Sequence, residues 1–414
     1  MRLMVYSHDT FGLGNIRRML AICSYLHASI PDLSILIVSG SPMLQSFRVA
    51  QGIDYIKLPC LKRTECGELG VRFLDLEVAE IVRLRRELIL STVVSFRPDI
   101  VLVDKKPDGL AGELEPSLRY IRCNLPQTRI LLVLRDILDS SRATVDAWIQ
   151  HGYYNTVRWY YDDVLVLGDR QIYDVCKEYQ FPESLRQKVH FCGYVARQFP
   201  TRSRSEIRKE LSVADDESLV LVTAGGGQDG YDLLSTSVAA TSSLAKRLRV
   251  RTLLVTGPDL GKEQSKAIYK AVQPHAGLQV MEFTDDLMSY MNAADTVISM
   301  AGYNTVCELL TLAKRSILVP RVKPVEEQKI RAERMANFGA FRTILPDALT
   351  PHVLENAIVE QLQAATNNAP LSAYIDLGAL PCITTMLKTA APNSACRFGP
   401  AATPLVQTLT RSEW

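Results

Sequence analysis

Three segments of this chain combine glycines with polar side chains where an apolar run gives way to a helical pattern. The first is Ser7-His8-Asp9-Thr10-Phe11-Gly12-Leu13-Gly14-Asn15-Ile16-Arg17-Arg18, leading into the apolar stripe Ile16, Met19, Leu20, Cys23 and Leu26. Glycine lets backbone approach a ligand closely, and the start of a helix offers unpaired N–H groups to an anion. Gly12 and Gly14 are therefore candidate ligand contacts, although a tight turn that binds nothing would use the same residues. The motif is not the dinucleotide fingerprint, because GLGN lacks the third glycine and no acidic residue follows the second apolar run. The second segment is Thr223-Ala224-Gly225-Gly226-Gly227-Gln228-Asp229-Gly230. Consecutive glycines lose much backbone entropy on folding, so a diphosphate cradle explains them better than packing. Without a Gly-Lys-Ser/Thr ending it is not a P-loop. In the third, Ser299-Met300-Ala301-Gly302-Tyr303-Asn304-Thr305-Val306-Cys307-Glu308, the glutamate has two readings. Thr305-x-x-Glu308 is a capping box, or Glu308 accepts hydrogen bonds from a ribose diol.

These junctions converge only if the elements between them wind into sheets. Predicted strands in the first half are Leu3–Tyr6, Ser34–Val38, Tyr55–Leu58, Ile100–Val103, Ile130–Leu134, Asp163–Leu167 and Val189–Cys192. In the second half they are Leu219–Thr223, Thr252–Val255, Gln279–Phe283, Thr296–Ser299 and Ser316–Val319. Continuous apolar runs alternating with helices read as parallel strands buried on both faces, hence two doubly wound sheets. A chain of 414 residues suits two such domains. The expected organisation is 1–198, a linker at 199–209, a second domain at 210–365, a segment 366–390 packing back, and a Pro/Ala/Thr/Ser tail at 391–414 expected to lack order. Arg202, Arg204, Arg208 and Lys209 in the linker read as solvated.

Lys and Arg number 47 against 45 Asp and Glu, which gives no global basic field for nucleic acid. Nine scattered cysteines, most in apolar runs, fit buried thiols in a reducing compartment. Without a signal-peptide pattern or an apolar run long enough to span a bilayer, the expected location is cytoplasmic. Membrane association would then be peripheral, at the inner face. The predicted helix Leu76–Phe96, with Arg83, Arg85 and Arg86, offers either an amphipathic docking face or an ordinary solvated one.

The second half resembles the donor domain of GT-B glycosyltransferases related to the peptidoglycan lipid-intermediate N-acetylglucosaminyltransferase. The resemblance rests on Gly225-Gly226-Gly227-Gln228, Phe283-Thr284-Asp285-Asp286-Leu287-Met288, Ala301-Gly302-Tyr303-Asn304-Thr305 with Glu308, and Pro320 through Glu326-Glu327-Gln328. The first half, SHDTFGLGNIRR with VDKKPDGLAGEL and LRDILD, resembles a group of bacterial proteins described only as predicted glycosyltransferases. The resemblance implies a GT-B fold of two Rossmann-like domains facing a cleft. It implies Glu308 on the ribose, and Phe283 with its neighbours Thr284 and Met288 near the base. Gly226, Gly227, Gly302, Asn304 and Thr305 would surround the diphosphate, beside Gly225, Gln228 and Ala301. Glu327 and Gln328 would meet the hydroxyls of the transferred sugar. Asp104, Lys105 and Arg135 fall on the acceptor side.

Similar N-terminal loops carry histidine where this chain has Asn15, and an amide cannot act as a general base. Strand-end candidates for that role are Asp136 first and Asp9 second, with His8 and Asp104 also in place. Asp136 could instead pair with Arg135, and His8 could be a satisfied structural histidine. The reaction implied is direct, inverting displacement on a UDP-sugar substrate, with no metal and no cofactor. The acceptor is open: a glycan, a lipid carrier or a small molecule. A sugar-nucleotide hydrolase or epimerase of the same fold, or an inactive nucleotide-sugar-binding regulator, are the alternatives.

Overall fold

The structure is a computed structural model that describes residues 1–8, 14–44, 49–64, 68–363 and 375–390. In the N-terminal half the strands are β1 (Arg2–Ser7), β2 (Ser34–Ser39), β3 (Ile53–Lys57), β4 (Leu61–Arg63), β5 (Leu69–Val71), β6 (Ile100–Asp104), β7 (Arg129–Arg135), β8 (Asp163–Leu167) and β9 (Val189–Phe191). The C-terminal half has β10 (Ser218–Thr223), β11 (Val250–Val255), β12 (Leu278–Met281), β13 (Thr296–Ser299), β14 (Ser316–Leu318) and β15 (Arg342–Thr343). Seven strands form one parallel sheet in the order β3-β2-β1-β6-β7-β8-β9, and six form a second in the order β12-β11-β10-β13-β14-β15. Both orders step outward from a first strand and then reverse. A crevice therefore opens at the carboxyl ends of β1 and β6, and another beyond β10 and β13, where such sheets bind ligands. Central strands are buried along their whole length, as in Ile100–Asp104, which is why they read as unbroken apolar runs.

Some elements differ from the sequence expectation. β12 stops at Met281, which leaves Phe283 on a loop beyond the sheet. The antiparallel pair β4–β5 and the two-residue β15 are too short to show a periodic pattern. Much of the expected linker is a helix, Arg204–Glu210, opened by a capping box between Ser203 and Glu206. Its basic residues are not merely solvated: Arg204 and Arg208 pair with Asp295 at 2.5 and 3.2 Å, and Arg202 pairs with Glu210. In the helix Val78–Phe96, Arg85 is fully buried and donates to both oxygens of Glu113 at 2.6 Å. Arg85 is thus unavailable to a solvent or membrane face.

The chain returns to its N-terminal domain at the end. Tyr194 N donates to Asp376 O at 2.7 Å, and Val195 bridges Gly378. The helix Ala379–Ala390 then packs on the helix Gly14–Ser29. Buried Tyr194, Val195, Ile375 and Ile383 belong to one apolar cluster that takes in core residues of both domains. Residues 364–374 and the tail 391–414 lie outside the described residues. Among the described residues no helix is long and apolar enough to cross a membrane.

Candidate functional site

A cavity of 310 Å³ lies between the carboxyl ends of the two sheets. The N-terminal domain contributes Gly14, Asn15, Arg17, Arg18 and Arg135; the C-terminal domain contributes the loops that follow its strands. Two of these loops interlock through glycine. Gly227 has φ +98°, and a Cβ there would lie 2.4 Å from the carbonyl oxygen of Thr256. Gly257, at φ +85°, would in turn strike Gly225 O at 2.5 Å. No side chain fits at either position, which is the physical reason for glycine after β10 and β11. Gly225 and Gly302 are different: a Cβ on either meets nothing within 4 Å, so their open sides line the cavity.

The helix Tyr303–Thr311 begins immediately beyond this opening, with Gly302 as its N-cap residue and no side-chain cap. Thr305 is therefore the third helical residue rather than the cap, and the capping-box account of Glu308 fails. Glu308 is only 6% exposed, lines the cavity and makes no hydrogen bond or ion pair among the described residues. Burial raises its carboxyl above the ordinary range, against a partial offset from Arg197 and Arg17. A buried carboxylate facing a cavity without a partner is costly to keep, and a ligand's hydroxyls would satisfy it. Phe283 is 52% exposed and also lines the cavity, presenting a ring on which a planar base can stack. Asn304 is a bridge: Nδ2 donates to Gly14 O at 2.8 Å, and Oδ1 accepts from Arg197 at 2.6 Å.

At the other end stand Glu327 and Gln328, in the first turn of the helix Glu327–Asn337. Glu327 faces Arg135 at 3.0 Å and Arg321 at 3.5 Å. Burial alone would raise its carboxyl, but Arg135, Arg331, Lys105 and Arg321 outweigh that and hold it at about 2. Gln328 Oε1 accepts from Arg321 N at 3.2 Å, and Arg321 also pairs with Asp229 at 2.8 Å.

The remaining expected residues divide sharply. Asp136 is 1% exposed and does not line the cavity; Arg331 grips both of its oxygens at 2.8 Å. That stands against its reading as general base: the fork takes one lone pair of each oxygen, and Ile137 N and the Tyr194 hydroxyl donate to the others at 2.7 and 3.2 Å. Asp104 is likewise held by Arg18, at 2.9 and 3.1 Å. His8 lies 3.2 Å from Asp104 O through Nδ1, and burial lowers its imidazole to about 3. Lys105 does not line the cavity; burial, then Arg135, lowers its ammonium to about 8. Asn15 Oδ1 accepts from Arg18 at 3.3 Å. Ala301 is buried behind the loop, and Leu287 rather than Met288 faces the cavity. Gly12 and Asp9 lie outside the described residues. Gly226, Gln228, Thr284 and Thr305 line the cavity as expected.

Residues the sequence reading missed are Arg17, Arg18, Tyr303, Arg321, and the turn Gly257-Pro258-Asp259 after β11. That turn carried a usable signal, a Gly-Pro pair ending an apolar run. Arg321 carried none, since a loop arginine looks like any surface cation.

Two Rossmann-like domains with glycine loops facing a shared cleft place the chain in the GT-B class of glycosyltransferase folds. Residues 219–375 match the glycosyltransferase family 28 C-terminal domain. A UDP-N-acetylglucosamine--N-acetylmuramyl-(pentapeptide) pyrophosphoryl-undecaprenol N-acetylglucosamine transferase of Clostridioides difficile is 28% identical over 186 residues, 44% of each chain. The transferase of the same name from Porphyromonas gingivalis is 25% identical over 381 residues, 89% of each. For the first of the relatives it matches, the chain spans about half their length: 44%, 53% and 42%. Among solved structures, Acinetobacter baumannii MurG superposes with a TM-score of 0.60 at 16% identity, over 94% of this chain and 99% of that one. The UDP-GlcNAc 2-epimerase of Methanocaldococcus jannaschii gives 0.62 at 11%, over 94% and 100%.

Proposed function

We propose that the protein transfers a sugar from a UDP-sugar to an acceptor hydroxyl, with inversion and without a metal. The observation that carries this reading is Glu308, a nine-tenths-buried carboxylate with no partner among the described residues, on the wall of a cavity built from glycine loops. The ribose diol would donate to Glu308, the base would stack on Phe283, and the diphosphate would lie against Gly225, Gly226 and the start of the helix at Tyr303. Glu327 and Gln328 would meet the sugar, as their place in the first turn of a helix at the cavity's far end allows. In the reaction the acceptor oxygen bonds to the anomeric carbon, the bond from that carbon to the diphosphate oxygen breaks, and UDP leaves. Helix-start amides and the cleft arginines, Arg17 foremost, would stabilise the charge on the leaving group.

Arginines hold Asp136 and Asp104, and His8 is buried, does not line the cavity and has its imidazole lowered to about 3, so the proton acceptor we favour is Asp9, the next residue in the sequence. The acceptor we favour is lipid-linked, the kind named for the relatives. Phe73, Leu74 and Leu76 are exposed by 70, 49 and 47% just before the helix Val78–Phe96, with Arg72 and Arg83 exposed beside them. Asp75 and Glu77 are exposed among them, so it is the apolar side chains rather than net positive charge that suit a membrane interface.

A thermal-shift panel of UDP, GDP, CDP, dTDP and their sugars tests the donor, since a ligand of the native state raises apparent stability. Uridine nucleotides should give the largest rise; another nucleotide, or none, would overturn the reading. UDP release that needs an added lipid-linked acceptor supports transfer, whereas acceptor-independent conversion of the donor would make the protein a hydrolase or epimerase.

A further inference from the structure

Arg331 makes contacts that reach three separate parts of the site. It is fully buried on the helix Glu327–Asn337. Nε and Nη2 donate to the two oxygens of Asp136 at 2.8 Å, and Nη1 donates to Ala301 O at 2.8 Å. Its guanidinium also lies 3.9 Å from Glu327 and 5.7 Å from the centre of the Tyr303 ring. Asp136 belongs to the N-terminal domain, Ala301 precedes the Gly302 opening, and Glu327 stands at the cavity's far end. Neighbours of Asp136 reinforce the connection: Arg135 pairs with Glu327, and Asp139 accepts from Glu326 N at 2.9 Å. Arg18 likewise lies over the Tyr303 ring, 5.7 Å from its centre, while it holds Asp104.

Domains joined by a cleft move relative to one another by default. Burying an ion pair adds little net stability compared with apolar packing, because both charges lose their water; what it can add is a single permitted register. A guanidinium fork suits that use, since its donors leave in fixed directions, whereas an ammonium is a point charge.

We propose that Arg331 is a positioning residue for sugar recognition. Through Asp136 it sets the first turn of the helix Glu327–Asn337 and the Ala301–Asn304 loop in one register, so the subsite for the transferred sugar is complete only when both domains are engaged. This inference rests on the donor reading above.

The test compares Asp136→Asn and Arg331→Lys with the wild type by calorimetric titration with UDP and with UDP-N-acetylglucosamine. Glu113→Gln, which breaks the buried pair with Arg85, is the control for general destabilisation. In both site variants the ratio of UDP-sugar to UDP affinity should fall about tenfold, while UDP itself binds within about threefold of the wild type. Glu113→Gln should leave the ratio unchanged. A ratio kept in both site variants, or lost equally in Glu113→Gln, overturns the proposal. If the wild type binds no UDP, the donor reading fails, and amide hydrogen exchange of the ligand-free protein still decides the positioning role. Asp136→Asn should speed exchange at 302–306 and 327–331 and leave the helix Tyr231–Leu244 unaltered. Unaltered exchange at both segments would overturn it.

Discussion

Replacing Glu308 by glutamine should move two measurable quantities in opposite directions. In the free protein the carboxylate is buried, with no hydrogen bond or ion pair among the described residues, and burial raises its pKa. The folded state therefore binds this proton more tightly than the unfolded chain does. Stability then falls as pH rises from the unfolded value of 4.5 to the raised folded value, and stays low above it. Glutamine keeps the shape and removes the charge, so at neutral pH the variant should be more stable. The gain should be about 1 kcal/mol, or about 2–4 °C in Tm for domains of this size, and it should vanish below about pH 4.5. Nucleotide binding should weaken instead. Two charge-assisted hydrogen bonds from a ribose diol become neutral ones at a loss of about 1 kcal/mol each, about 30-fold in affinity together. Titration with UDP and with 2′-deoxy-UDP isolates the cause: the wild type should prefer UDP, and the variant should lose most of that preference. Equal preference for UDP in the variant and the wild type would refute the ribose assignment. A variant less stable than the wild type at pH 7 would refute the claim of an unsatisfied carboxylate.

Sugar transfer should persist in EDTA and gain nothing from manganese; activity abolished by the chelator and restored by the metal would overturn the metal-independent reading. Asp9→Asn should lower kcat by about 10²–10⁴-fold with UDP affinity intact, and normal turnover would remove Asp9 from the mechanism. Glu327, held at about 2, contributes stability that is full above pH 4.5 and lost as pH falls from 4.5 toward 2. That contribution is about 3 kcal/mol. Urea unfolding of Glu327→Gln should therefore show a flatter acid limb than the wild type, and identical slopes would refute the ion-pair account.

Much of the architecture was legible without coordinates because parallel strands buried on both faces leave an unmistakable trace. Ile100–Val103 and Leu219–Thr223 are continuous apolar runs with turn residues at each end, and a winding order needs little more than their alternation with helices. Local backbone demands were equally visible. Of the three glycines after β10, Gly227 is the one that packing demands, because no other residue would accept φ of +98° with Thr256 O 2.4 Å away from a Cβ. The glycine-loop wall of the cavity was read from such segments, since Gly225–Gly227 and Gly302–Glu308 each lie within one strand-to-helix junction.

Partnership across the cleft is another matter. Sequence spacing could not separate a catalytic Asp136 from a structural one, because the deciding residue, Arg331, lies 195 positions away in the other domain. Glu308 was equally ambiguous until the helix start came to rest at Gly302, three residues before Thr305, the N-cap position that a capping box with Glu308 would need. Arg204 and Arg208 looked solvated only because Asp295, their partner, is far along the chain. Side-chain charge, size and backbone freedom are local properties and are written in order along the chain. Which charge meets which, and which faces the cavity instead, depends on how two sheets and their crossover bring distant segments together, and tertiary packing alone decides it.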